Sequence, residues 1–519
     1  MLGLFCLIFY VKNLNKLSRL YVSLSNMASS YNIVWLKRDL RLKDHAPLHY
    51  CAQSTDPTIL WYNFEPRLMG DPHYSDRHFQ FIYDSLADIN QRLSNHKTQL
   101  LITYGDTIDA LDCLMGQIQV KTLLSHQETG ISQTYGRDQE VALWCQLMEV
   151  EWKEFQSNGI QRGRSNRNSW VKDWYNYMNS PQLAYSLNQI SWISLDDINA
   201  LRICFEHYLR IGNNKKLQRG GEMLAHETMH SFFSTRVRGN ENNISNPLTS
   251  RWHCSRLSPY IAWGNLSIRQ VYQESQNAAA RGMAVGDIKL MQSKLQWRCH
   301  FIQSFEMECD MEFRSINRAF EQLEKPVIKA HQEAWKAGQT GFPLIDACMR
   351  CLNQTGYLNF RMRAMLVSFF THQLWQPWQD AESHIAKKSL DFEPGILFSQ
   401  IQIHAAETGI NTMRVYDPVK ESYEHDPNGI FIKDWVVELK DLPAPYFHEP
   451  WKMNKSEQEK IGFKYGQDYP EQIIDAEKAG QYALQTIAEF SNRPEVHKEA
   501  KRIVRKHSNE GIEVASNVI

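Results

Sequence analysis

Arg361 and Arg363 stand two residues apart in a run from Phe360 to Phe370, FRMRAMLVSFF, that is otherwise almost wholly apolar. A guanidinium in such surroundings needs a carboxylate, because an unpaired buried charge is prohibitively costly. Asp391 and Glu393, just before Pro394-Gly395, are the natural candidates. Two such pairs between elements suit a bound polar ring system, and a purely structural salt bridge suits the same residues equally well. Upstream, Cys254-Ser255-Arg256-Leu257-Ser258-Pro259-Tyr260 sets two hydroxyls around a turn at a helix start, an arrangement that fits a phosphate group or ordinary capping. The run KLQWRCHF places Trp297 beside Arg298, with Lys294 and His300 close by, where helix packing is the plainer reading. Cys348 and Cys351 form the one close cysteine pair. They fall inside an apolar helical pattern without a second pair, so they read as packing residues, and no metal site is assigned.

The elements that must hold these groups are of two kinds. From Tyr31 to about Phe155 short apolar runs (NIVWLK, TILWYNF, LLITYG, VKTLLSH, VEWKEF) alternate with amphipathic stretches, the pattern of a parallel sheet covered on both faces. No GxGxxG or P-loop pattern follows the first strand. Residues 156–205, opening QSNGIQRGRSNRNSW, are polar and basic and read as a linker; from 206 to 492 the period is helical nearly throughout. Residues 493–519 read as a basic, polar tail with a solvated face. Residues 1–30 carry no acid and open on an apolar stretch too short to span a bilayer; translation is expected to begin at Met27, and the segment is set aside as an N-terminal extension.

With 519 residues and 43% hydrophobic content, large buried cores are expected. A net charge of −1 provides no global basic field, so a polyanion would have to be met by a local patch. Ten scattered cysteines argue against a secreted disulfide scaffold and for a reducing compartment.

Together these segments resemble the photolyase/cryptochrome family of flavoproteins, from Tyr31 to about Trp451. Val34 to Leu48, VWLKRDLRLKDHAPL, is similar to the family's opening strand and loop. Cys254 to Arg269 is similar to its phosphate-gripping turn, and the TGFPLIDACMRCLNQTG run from Thr340 to its T-G-x-P-x-x-D-A-x-M-R segment. The resemblance implies an α/β N-terminal doubly wound parallel-sheet domain, with room for a second, antenna chromophore of unassigned identity, and an all-α C-terminal FAD-binding domain. It implies Ser255, Arg256, Leu257 and Ser258 near the flavin phosphates. Arg363 paired with Asp391, and Glu393 in place of a second aspartate, would lie beside the flavin, with Arg298 in the same cofactor-binding set. Arg361 falls where an arginine approaches DNA phosphate, Trp297 where a tryptophan lines the lesion pocket, and Trp378 where an outer relay tryptophan stands.

The chain also departs from the pattern. Leu397 replaces an asparagine near flavin N5, Phe360 an asparagine that contacts flavin or lesion, and Ile401-Gln402-Ile403 the usual W-Q-W. The implied activity is light-driven splitting of cyclobutane pyrimidine dimers by electron transfer from reduced FAD, by a cytoplasmic monomer (nucleoid-associated if bacterial) acting on damaged DNA and not on membranes. The alternative is a cryptochrome-type blue-light photoreceptor.

Overall fold

The computed structural model describes residues 30–202 and 214–508, so the expected extension lies outside it but for Ser30. Five strands, β1 (Ser30–Trp35), β2 (Thr58–Phe64), β3 (Leu101–Tyr104), β4 (Gln119–His126) and β5 (Glu151–Phe155), form one sheet in the order β3-β2-β1-β4-β5. Every pairing is parallel. Parallel strands need crossovers, supplied here by helices that include α1 (Asp76–Leu93), α2 (Thr107–Met115) and α3 (Ser132–Leu147).

The strand period of two explains the layering. Ile33, Trp35, Ile59 and Trp61 point to one face, where α2 and α3 cover them with Leu111, Leu114 and Val141. Val34, Leu60 and Leu124 point to the other, against Phe81, Ile82 and Leu86 of α1. All seven residues of β2 are buried, as a strand covered on both faces requires. The α1-side cluster also takes in Trp263, Ile302, Phe392 and Phe398 of the helical half, so the two halves share one core.

That junction is close. The guanidinium of Arg38, just after β1, lies 4.8 Å from the Trp263 ring and donates to the carbonyls of Ala262 and Phe392. Gly264 has φ +74°, and a Cβ there would sit 2.2 Å from the Arg38 carbonyl oxygen, so only glycine permits the approach.

The helical half contains α4 (Trp170–Asn179), α5 (Ser258–Ala262), α6 (Ile268–Ala280), α7 (Val285–Met307), α8 (Pro343–Thr355), α9 (Phe360–Ser368), α10 (Gln379–Lys388), α11 (Pro394–His404) and α12 (Pro494–His507). A second core gathers α8 and α9 around Ile345, Leu352, Met362 and Phe369. Among the described residues no helix is long and apolar enough to cross a membrane.

Two stretches differ from their sequence reading. Of the expected linker, residues 203–205 lie outside the described residues, and 156–202 are no free linker: Trp170, Trp174 and Met178 of α4 are fully buried. The polar residues before α4 reach α7, with Gln161 N–H donating to Gln303 and Arg167 to the His300 carbonyl and Ser304 hydroxyl. Polarity that suggests solvent was committed to helix partners instead. Helix α12 is half docked: Val496 and Ile503 are buried, and Arg502 donates to Glu308 at 2.9 Å. Both Cys348 and Cys351 are buried and unpaired within α8.

Candidate functional site

Asn359 starts α9, its side-chain oxygen accepting the Met362 N–H at 3.1 Å. Residues two apart on a helix face roughly 200° away from each other, so the arginines that flank Met362 part company. Arg363 turns inward and donates to Asp391 Oδ1 at 2.9 Å, while its Nε–H donates to the Leu358 carbonyl. Arg361 turns outward, a third exposed, and approaches Glu421 at 3.5 Å. Glu393 serves neither arginine of α9. It sits at the N-cap of α11, accepts from Arg298 at 2.6 Å and has Arg38 at 3.7 Å. The expected pairing is therefore met for Asp391 and corrected for Glu393, whose partners come from α7 and from the sheet domain.

Burial by itself would push the Asp391 carboxyl up. The Arg363 guanidinium and a hydrogen bond from Ser258 outweigh it and hold the group below its usual value. Ser258 thereby ties the turn before α5 to the Arg363–Asp391 pair. In that turn Leu257 is fully buried, Ser255 Oγ accepts the Leu257 N–H, and Arg256 adopts φ +60°. Gln218 secures it by accepting from the Arg256 guanidinium and donating to its carbonyl. The guanidinium lies 3.7 Å from the Tyr357 ring centroid.

Two adjoining cavities lie along α11. The inner one, about 80 Å³, is lined by Arg363, Ser389, Asp391, Leu397, Ile401 and His404 among others. The outer one, about 260 Å³, is lined by Lys294, Trp297, Arg298, Phe301, Arg361 and Tyr416 among others. Phe360, Ile396 and Gln400 belong to both and form the wall between them. Together the cavities reach the lower end of small-molecule sites, roughly 300–1,000 Å³, so a fused ring seated in the inner one must draw on space across that wall.

Trp297 packs its ring 5.5 Å from Phe301 and keeps a part-exposed face on the outer cavity. Burial lowers the pKa of Lys294, which lies 5.8 Å from the Phe360 ring. Trp378 is not brought to either cavity: it is fully buried and donates its Nε1–H to Ser315. Gln402, inside the segment that replaces W-Q-W, is structural, accepting the Ile316 N–H and donating to the Met311 carbonyl.

Sequence reasoning missed Ser389, Gln400 and His404. The last two follow Leu397 at helical spacing on one face of α11, and that periodicity was the signal for them. The cavity walls carry unsatisfied groups: Ser389 Oγ, Arg298 Nε, Gln400 Oε1 and His404 Nε2 are buried and have no hydrogen-bond partner among the described residues. Since buried polar atoms are normally paired, these walls fit a planar, polar ring of the flavin kind, with the Arg363–Asp391 pair at one end.

A second polar cluster, at the carboxyl ends of β1 and β4, is closed on itself. Asp39 Oδ2 lies 2.9 Å from His45 Nε2 and 2.6 Å from His126 Nδ1. The Leu48 N–H donates to His45 Nδ1, which keeps the ring proton on Nε2 for Asp39 and leaves that nitrogen without a lone pair for a metal.

Comparison with known proteins finds similarity in both halves of the chain. Residues 32–164 match the DNA photolyase family model, and residues 291–489 match the FAD binding domain of DNA photolyase. The chain is 25% identical over 486 residues to a deoxyribodipyrimidine photo-lyase of Alkalihalophilus pseudofirmus, covering 88% of this chain and 98% of that protein. It is 24% identical over 485 residues to the cryptochrome DASH of Synechocystis sp., covering 85% and 95%. The solved cryptochrome structure from Synechocystis sp. superposes with a TM-score of 0.77 at 20% identity, over 88% of this chain and 99% of that one, a likeness of fold.

Proposed function

Because this chain belongs to the photolyase/cryptochrome family, with FAD as its cofactor, we propose that it is a light-driven DNA repair lyase that splits cyclobutane pyrimidine dimers. The observation that carries the reading is the outer cavity. Trp297 and Phe301 offer flat apolar faces, Lys294, Arg298 and Arg361 offer cations, and the chamber shares its wall with the cavity that ends in Arg363–Asp391. That combination suits a base turned out of the helix and its phosphate.

Reduced FAD, when bound, supplies on illumination the electron that opens the dimer. The residues of the chain do the rest. Arg363 and Asp391 hold a charged, hydrogen-bonding pair against the ring site, steadied by Ser258. The Ser255–Ser258 turn carries the hydroxyls for the cofactor's phosphates. Trp297 stacks a base, and Arg361, loosely engaged by Glu421, is free to shift toward a DNA phosphate. Blue light on FAD-reduced protein with a dimer-containing oligonucleotide should restore the undamaged sequence; restoration no better than in the dark defeats the proposal.

One observation favours a photoreceptor instead. Leu397 and Ile401 present aliphatic walls to the inner cavity, and Trp378 lines neither cavity, which alters the surroundings that set flavin redox behaviour. A light-induced change in conformation or partner binding without dimer repair would select that reading. We further take the protein to be a cytoplasmic monomer, which light scattering and localisation of a tagged chain check.

A further inference from the structure

We propose that Gln400 and His404 form a hydrogen-bonding pair that receives the imide edge of a pyrimidine-type ring, the C=O, N–H, C=O sequence shared by flavin and thymine. The inference rests on the reading of the two cavities as cofactor and base sites, and it adds the residues that read the ring.

Spaced i and i+4 on α11, the two side chains share one face of the helix. His404 is 8% exposed and lines the inner cavity; among the described residues its Nε2 has no hydrogen-bond partner, and its ring lies 5.6 Å from that of Phe360. Gln400 lines both cavities, and its buried Oε1 has no partner. The surroundings are apolar on most sides, with Phe360, Ile396, Leu397 and Ile401 as walls. Leaving two such groups unsatisfied in an apolar wall is costly in the free protein, and a ligand that completes them removes the cost.

The chemistry of the pair narrows the ligand. Burial, with the Arg414 charge adding to it, lowers the His404 pKa to about 4, so the ring is neutral at pH 7 and offers one donor and one acceptor. The Gln400 carboxamide offers two donors and an acceptor. Neutral groups that both donate and accept match a flat edge on which acceptors and a donor alternate. The apolar walls accommodate the faces of the same ring.

The experiment uses full-length wild type, Gln400→Leu, His404→Leu and the double variant. Three quantities are measured: the thermal midpoint of FAD-depleted protein, the Kd for FAD by flavin fluorescence, and dark binding of dimer-containing and undamaged oligonucleotides to FAD-loaded protein. Each substitution should raise the midpoint of the depleted protein, because it removes an orphaned polar group, and should weaken one ligand about tenfold. Weaker FAD binding with an unchanged preference for damage identifies the edge as the flavin's. A lost preference with unchanged FAD binding identifies it as thymine's. A midpoint that falls, or two unchanged affinities, overturns the proposal, since the pair is then structural or idle. Wild type with no preference for damage would sink the repair reading alone, and the FAD arm would still decide this one.

Discussion

Replacing Glu393 by glutamine keeps its shape and removes its charge, which isolates what that charge does. Its carboxylate sits 2.6 Å from Arg298 and 3.7 Å from Arg38, with 6% of the side chain exposed against 10% and 18% for its partners. Arg38 keeps its other partners, the Ala262 and Phe392 carbonyls and the Trp263 ring. Among the described residues Arg298 has no ion-pair partner but Glu393, and its Nε is already without a hydrogen bond. The loss therefore falls on one buried guanidinium, and breaking such a pair costs about 3 kcal/mol at the lower end of the usual range. That is roughly a 150-fold change in the folded-to-unfolded ratio. Glu393 is also the N-cap of α11, where a negative charge is stabilised by the positive end of the helix dipole, so neutralising it adds a few tenths of a kcal/mol to the loss. Urea unfolding of the FAD-depleted protein, followed by far-UV circular dichroism, measures the loss. Adding Arg298→Met to Glu393→Gln should recover part of it, because an apolar replacement for both partners strands no charge. If the two losses simply add, Glu393 and Arg298 are not coupled and this account of the junction is wrong.

Three further outcomes are expected. His73 lies between Asp71 at 2.7 Å and Glu382 of α10 at 2.9 Å; burial opposes its charge, but the two carboxylates raise its pKa to about 10. A raised folded pKa gives stability that is complete below about pH 6.5 and lost as pH climbs toward 10, so the melting temperature should fall over that window and His73→Gln should flatten the slope. Asp346 accepts from Thr340 N–H, Thr340 Oγ1, Gly341 N–H and the Tyr469 hydroxyl at 2.5–3.1 Å. Asp346→Ala strands these donors and should cost about 3 kcal/mol or more, seen as a lower urea midpoint. Trp297→Ala should weaken binding of a dimer-containing oligonucleotide by about 1–3 kcal/mol, the worth of one stacked base, while the Kd for FAD holds; an equal loss on FAD would place Trp297 at the ring site instead.

How much of this was legible beforehand depends on the distance over which each feature is encoded. The parallel sheet could be read because strand alternation and buried apolar runs are local, and β2 kept every residue of TILWYNF inside. The TGFPLID run was readable as a motif, and its meaning is local too: Asp346 folds back onto Thr340 and Gly341 six and five residues away. Charge in an apolar helix anticipated that its arginines would meet Asp391 or Glu393, and the family resemblance singled out Arg363 with Asp391. The partners of Arg361 and Glu393 were not, because helix rotation sends Arg361 outward to Glu421 and because Glu393 meets Arg38 across 355 positions of chain. Residues 156–202 misled for a related reason, since composition cannot distinguish a polar group bound to water from one bound to the side of α7.

By itself the amino-acid sequence determined the two kinds of domain, the need of the arginines in an apolar helix for carboxylate partners, and the turn of serines, because period, burial and short-range hydrogen bonding are written in neighbouring residues. Only the tertiary structure decided that the two cavities share a wall of Phe360, Ile396 and Gln400, that Trp378 stands away from both, and that His404 faces the inner one without a partner. Those facts depend on how α7, α9 and α11 are rotated and seated against one another, and packing of whole elements, not any local pattern, sets that rotation.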